Sequence, residues 1–107
     1  MATRDIANLN DRFRQTMAGG RIVITSGIQG LGFICMNGIM QEIRKFSVFT
    51  EDNDPYGEHD FGKVIFAGKS AFWKIDYYDE KMEFGSPDPT DPSQTTRVMT
   101  VMLPEEY

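Results

Sequence analysis

The sequence predicts an α+β domain, with two helices packed on one face of a mainly antiparallel sheet of about four to five strands. Two segments in the first half carry apolar residues at three- and four-residue steps, the spacing of a helix face. A later stretch of β-branched and aromatic residues alternates with period two, the spacing of a half-buried strand. A chain of 107 residues, 40% apolar and 12% aromatic, suits a single domain over residues 1–107 with a real core. A domain of this size buries only about 60–65% of its unfolded surface, so core positions matter individually.

In chain order, Ile6, Leu9, Phe13 and Met17 form the apolar face of a first helix. Thr3 is placed to cap its start, and Gly19-Gly20 to stop it. Arg4, Asp11, Arg12 and Arg14 fall mainly on its wet side. "RIVIT", residues 21–25, reads as a short strand. A second helix is expected over about residues 31–46, its face made of Met36, Ile39, Met40, Ile43 and Phe46. Gly38 inside it weakens that helix by about 1 kcal/mol relative to alanine. "KVIFAGKSAFWKIDYYD" reads as two strands joined by a turn at Ala67–Ser70. In the second of them Ala71, Trp73, Ile75 and Tyr77 take one face, assigned to the core. Phe72, Lys74, Asp76 and Tyr78 take the other. "MEFG", 82–85, is expected as a short strand, and "RVMTVML", 97–103, as the last one. Three prolines keep "SPDPTDPSQTT" out of regular structure.

Charge divides the chain. Residues 1–50 hold six basic and three acidic groups, residues 51–107 five and thirteen, and the net charge is −5. Direct nucleic-acid binding needs cations that release phosphate counterions, so the second half argues against it. An acidic surface suits a basic partner, a metal or simple solubility. The lone cysteine, Cys35, permits no internal disulfide and reads as a buried, inert thiol, with no need of an oxidising compartment. Residues 22–40 carry no charge and match a bilayer span in length. Thr25, Ser26, Gln29, Asn37 and four glycines dilute that run, and a buried strand followed by a buried helix explains it better. The N-terminus has charges from Arg4 onward and no apolar signal core, so no membrane and a cytoplasmic setting are expected.

The stretch richest in chemistry is "EDNDPYGEHDFG", residues 51–62. If the strands alternate as expected, this loop and Tyr78-Asp79 share one end of the sheet. "PEEY" would then join them. That gathers Asp52, Asp54, Glu58, His59, Asp60, Asp79, Glu105 and Glu106, with the 86–96 loop at the opposite end. Counted from Asp52, an EF-hand pattern lacks its oxygen ligand at Tyr56 and its bidentate ligand at Lys63. A looser oxygen-rich metal site could use Asp54, Glu58, His59 and Asp79, suited to magnesium, calcium or manganese. The alternative is a turn at Asn53-Asp54-Pro55 with a hydrogen-bonded exit. His59 has the titration range of a general base, but no nucleophile stands at a recognised spacing from it, so no catalytic residue is assigned. "GIQGLG" sits where an anion site could form, between a strand and a helix, yet its order fits neither dinucleotide nor P-loop patterns, and it reads as a tight turn. Lys74 and Asp76 share a face and can pair. Phe72 and Tyr78 beside them are core if both sheet faces are covered, or an exposed aromatic interface if one is open. Asp88 and Asp91 make the proline-rich loop an acidic spacer or a recognition finger.

The segments "LNDRFRQTMAGGRIVITSGI", "EDNDPYGEHDFG", "FWKIDYYD", "FGSPDPTDP" and "TTRVMTVMLPEEY", in this order and spacing, resemble a family of small, uncharacterised bacterial proteins classed as a domain of unknown function. The resemblance covers nearly the whole chain, with residues 27–38 least typical. It transfers no catalytic role. It implies a cytosolic bacterial protein, often carried on plasmids or other mobile elements.

Together these readings favour a small acidic, non-enzymatic binding protein acting through protein–protein contact, with no cofactor. A nucleic-acid-handling partner is the natural complement. The sharpest version is an inhibitor of a bacterial defence system, of anti-restriction or anti-CRISPR type. The alternative is a metal-dependent hydrolase or nuclease built on the 51–60 loop, and a third is the antidote of a toxin–antitoxin pair.

Overall fold

Trp73, Ile75 and Ala71 project from one face of a strand, and what covers them decides the architecture. A computed structural model describes residues 2–107 as α1 (Ala2–Thr16), β1 (Gly20–Ile24), α2 (Ser26–Gln29), α3 (Phe33–Lys45), β2 (Phe61–Phe66), β3 (Lys69–Tyr78) and β4 (Thr96–Met102), with 3-10 turns at Pro92–Gln94 and Pro104–Glu106. The four strands form one sheet in the order β1-β4-β3-β2. β2, β3 and β4 are antiparallel neighbours, while β1 pairs parallel to β4, Gly20 opposite Arg97 and Ile24 opposite Val101. The fold is therefore α+β as expected, on a mixed sheet.

The core lies between this sheet and the two long helices. Phe13 of α1, Ile39 and Ile43 of α3, and Ile28 of α2 close over Val64, Ala71, Trp73, Ile75, Met99 and Val101. Burying a tryptophan removes some 150–250 Å² from water, worth several kcal/mol at about 25 cal/mol per Å². Trp73 is fully buried and is the largest such side chain. α3 turns Met36 and Met40 onto the same core, and Phe46, just past its end and not within it as expected, packs there too.

Several expectations need correction. Helix α1 begins at Ala2, so Thr3 lies within its first turn and does not cap it. Arg14, expected on the wet side, is 1% exposed, and Asn10 beside it is fully buried. "GIQGLG" is not a bare turn, because α2 opens it: Thr25 accepts a hydrogen bond from the Ile28 backbone N–H. The second long helix runs Phe33–Lys45, inside the expected span. Cys35 is half-buried rather than buried.

The larger correction is at residues 82–85. They form no strand, only a single bridge from Gly85 to Tyr78. The Asp79 side chain accepts from the Glu83 N–H at 3.0 Å, and Met82 takes a positive φ of 58°, so the chain turns here instead of extending. One strand fewer reverses the ends of everything after it. β4 starts beside Tyr78 and finishes beside Phe72. The 86–96 loop thus sits at the acidic end, and "PEEY" at the opposite end, where Tyr107 packs on Phe61 and Phe72. Glu105 and Glu106 do not join the cluster around Asp54 and Glu58.

Two glycines are set by close approach. A Cβ on Gly38 would stand 2.3 Å from the Phe66 ring, and one on Gly62 would stand 2.6 Å from Trp73 Nε1. Gly38 therefore gives up helix propensity so that α3 can lie against β2. We predict that Gly38→Ala lowers stability by about 1–3 kcal/mol in urea unfolding, despite a propensity gain of about 1 kcal/mol. Adding Phe66→Leu should recover part of that loss. A Gly38→Ala protein more stable than wild type would show that the contact does not govern the position.

Candidate functional site

Helix α1 buries a polar edge, and the acidic loop is built on it. The Arg14 guanidinium reaches the C-terminal end of α3, where Nη1 donates to the carbonyls of Ile43 (3.0 Å) and Phe46 (2.7 Å). The Ile43 carbonyl also accepts from the Phe46 N–H at 3.2 Å, and a cation there meets the negative end of the helix dipole. The guanidinium packs against the Trp73 and Phe49 rings, 5.4 and 5.5 Å from their centroids. Its Nη2 donates to Asp11 Oδ1 at 2.9 Å.

Asp11 carries the connection into the loop. Its two carboxylate oxygens lie 2.9 and 3.0 Å from His59 Nδ1. The His59 ring stacks on Phe49, with centroids 3.9 Å apart and planes 2° from parallel. The His59 backbone takes a positive φ of 56°, held by the buried Asp54 carboxylate, which accepts from the N–H groups of Glu58 and His59. The expected Asn53-Asp54-Pro55 turn is present in this form: Asp54 organises the loop exit, and Asn53 ties the entry by accepting from Thr50 N and donating to Val48 O.

A second network lies beside the first. Tyr77 OH donates to Glu58 Oε1 at 2.8 Å and accepts from Asn10 Nδ2 at 2.8 Å. Asn10 Oδ1 accepts from Arg97 Nε at 2.8 Å, and Arg97 lies over the Tyr77 ring. Burial pushes the Tyr77 hydroxyl pKa far up; the Asn10 hydrogen bond opposes this, and Glu58 adds to it. Burial lowers the Arg97 pKa, with Tyr77 and Glu58 opposing.

These contacts decide what the expected site residues do. Asp54, Glu58 and His59 come together, but each is engaged inside the protein. Asp79 serves its own turn. Among the described residues no three His, Cys, Asp or Glu side chains converge as a metal set. His59 is oriented by Asp11 as a general base would be, yet among the described residues no hydrogen bond links it to Ser, Cys or Lys. Asp52 is exposed at the loop tip. Asp88 and Asp91 fold the proline-rich loop on itself: Asp88 accepts from Thr90, and Asp91 from Ser93 and Gln94. Hydrogen bonds from Gln94 and then Ser93 hold the Asp91 pKa down. The turn at 27–32 has its N–H groups taken within the chain: Gly27 N donates to Glu106 at 3.3 Å, beside Thr25 Oγ1 at 2.7 Å, and those of residues 28–32 donate to Thr25, Ser26, Ile28 and Gln29.

The outer sheet face remains. Lys74 and Asp76 pair there at 3.1 Å. Phe72 meets Phe61 and Tyr107 with centroids 5.3 and 5.6 Å apart. The core cluster puts α1 and α3 on the opposite face. Phe72 and Tyr78 are half-buried, while Ile65, Val23 and Tyr107 are 58%, 47% and 73% exposed. Asn10, Asp11, Arg14, Tyr77 and Arg97 were not among the expected site residues.

Residues 24–106 match a family model described as "Protein of unknown function (DUF3768)", and the chain belongs to that family. No curated protein and no solved structure matches it. Among the described residues no helix is long and apolar enough to cross a membrane.

Asp60 gives a pH signature. Burial raises its pKa above the ordinary carboxylate value, and the charges of Glu58, Asp54 and Asp76 add to the rise against a backbone hydrogen bond. The folded chain thus binds this proton more tightly than the unfolded chain does. At neutral pH the ionised group opposes folding. That opposition fades as pH falls from above the raised pKa towards the ordinary aspartate range of about 3.9. We predict that Asp60→Asn raises the thermal midpoint at pH 7 and that the gain closes by about pH 4. Equal midpoints at pH 7 would contradict the assignment. Tyr77→Phe, which leaves Asn10 and Glu58 short of a partner, should lower stability by about 1–3 kcal/mol in urea unfolding.

Proposed function

We propose that this DUF3768 chain is a small acidic, non-enzymatic binding protein that acts by protein–protein contact. The placement of charge carries the reading. Eleven of the sixteen acidic residues lie in segments 51–60 and 76–91. Both segments fall at the end of the sheet where β3 finishes. Alongside, the outer face offers Phe72, Tyr78, Lys74 and Asp76, with aromatic and charged groups interleaved as at protein interfaces. A basic, nucleic-acid-handling protein complements such a surface, because carboxylates can occupy a groove that otherwise holds phosphates. In the bacterial, mobile-element setting that the family resemblance implies, the sharpest form is an inhibitor of a defence nuclease, of anti-restriction or anti-CRISPR type. An antidote to a toxin would use the same surface on a different partner. The metal-dependent hydrolase has less support, since a cation at Asp54, Glu58 and His59 would have to displace the hydrogen bonds that shape the loop.

The test is capture from a bacterial host by the immobilised chain, compared with a variant carrying Asp52→Asn, Asp60→Asn, Glu80→Gln and Glu83→Gln. The expected result is retention of a DNA- or RNA-binding protein that duplex DNA displaces, with capture by the variant reduced about tenfold or more at low salt. Capture indifferent to the four substitutions would refute the reading. A saturable rise in thermal midpoint with manganese, abolished by His59→Ala, would favour the hydrolase instead.

A further inference from the structure

Arg97 is 3% exposed. A buried guanidinium ordinarily has a carboxylate beside it, because an uncompensated buried charge is strongly unfavourable. Among the described residues Arg97 has no acidic partner within salt-bridge distance. Its Nε donates to Asn10 and its Nη2 to the Pro89 carbonyl, both neutral acceptors. Its Nη1 has no hydrogen-bond partner among the described residues, and it is not one of the sealed-in unsatisfied atoms, which are Arg14 Nε and Trp73 Nε1. The free corner of the guanidinium is thus within reach of solvent.

Arg97 lines a cleft of about 220 Å³ between the end of α1 and the segment leading into β4. Its walls include Leu9, Phe13, Ala18 and Pro92, and a second arginine, Arg12, is also among its lining residues. Arg12 is exposed and forms no ion pair among the described residues. Glu58 is linked to Arg97 through Tyr77 and Asn10 rather than by a direct ion pair, and the acidic groups of the 86–96 loop do not fill the role. Asp88 and Asp91 turn their carboxylates onto the donors of their own loop.

We propose that this cleft is a binding site for a small monocarboxylate with an apolar tail, its oxyanion on Arg97 and Arg12 and its hydrocarbon against Leu9, Phe13 and Pro92. Guanidinium groups take carboxylates in forked, charge-assisted hydrogen bonds. The volume lies below the 300–1,000 Å³ of sites for drug-sized ligands, so the ligand is small. A tail is needed for affinity, because the net charge of −5 opposes a bare anion of higher charge. The site is independent of the protein–protein surface and stands or falls separately from it.

Hexanoate titrated into the intact protein at low ionic strength tests the site, read by thermal midpoint and by backbone amide shifts at Ala18, Gly19 and Thr95. The expected result is saturable binding that perturbs those three amides and weakens roughly fourfold for each CH₂ removed towards butyrate. Arg12→Gln, at an exposed position outside the buried networks, should weaken it about tenfold. Arg97→Gln should abolish it if circular dichroism shows the variant folded, and Arg12→Gln decides the matter if it is not. Hexanol supplies the tail without the charge, and inorganic phosphate the oxyanion without the tail. Phosphate binding as tightly as hexanoate with the same Arg12 dependence would overturn the role of the tail. No saturable change at the three amides, an equal response to hexanol, or indifference to Arg12→Gln would overturn the site.

Discussion

One buried cation, Arg14, joins the parts of this domain that the sheet does not hold. It closes the C-terminal end of α3, lies against Trp73 at the centre of the core, and fixes Asp11, which in turn fixes His59. The stretch from Phe46 to Asp60 has no regular structure, yet it is anchored at both ends through this group. Phe46 is held by its carbonyl, and His59 by its ring on Phe49. A buried guanidinium is tolerable only when nearly all its donors are used and its charge is balanced. Here three carbonyls, one carboxylate and two aromatic faces meet it, and only Nε is left without a partner.

Loops of this composition invite a catalytic or metal reading, and the geometry shows why composition misleads. Asp54, Glu58 and His59 are rich in donors and acceptors, and the protein uses them on itself. Asp54 plays the part of a missing strand partner for two backbone N–H groups, and Glu58 accepts from the hydroxyl of a half-buried tyrosine. The charge that remains outward includes the exposed Asp52, Glu80 and Glu83. The loop thus divides its polar groups, those at the base turned inward and those at the rim left to solvent.

How much of this was legible in the sequence depended on the range of the interaction. The strand face of Ala71, Trp73 and Ile75 and the helix face of Ile39 and Ile43 follow from periodicity, a local property, and both are as read. Residues 82–85 have strand composition, but Asp79 closes a local turn over them, and a side chain capping the backbone outweighs weak β propensity. That one difference carried Glu105, Glu106 and the proline-rich loop to the wrong ends. Asn10 and Arg14 stand four residues apart on α1, a polar pair at helical spacing within an amphipathic helix. Their burial depends on partners at Tyr77, Arg97 and Phe46, too far along the chain for spacing to reveal. The pairing of Asp11 with His59 is of the same kind.

The parallel pairing of β1 with β4 has a consequence for the order of assembly. β1 leaves the ribosome early, but its only neighbour in the sheet lies beyond every other strand. Until residues 97–101 emerge, "RIVI" is an apolar edge with unmatched backbone, exposed to other nascent chains. Contacts so distant along the chain slow folding, since the entropy of closing the intervening loop is lost before any pairing forms. The emergence of β4 thus completes the sheet, and the interval before it is when this chain is most open to chaperones and to aggregation.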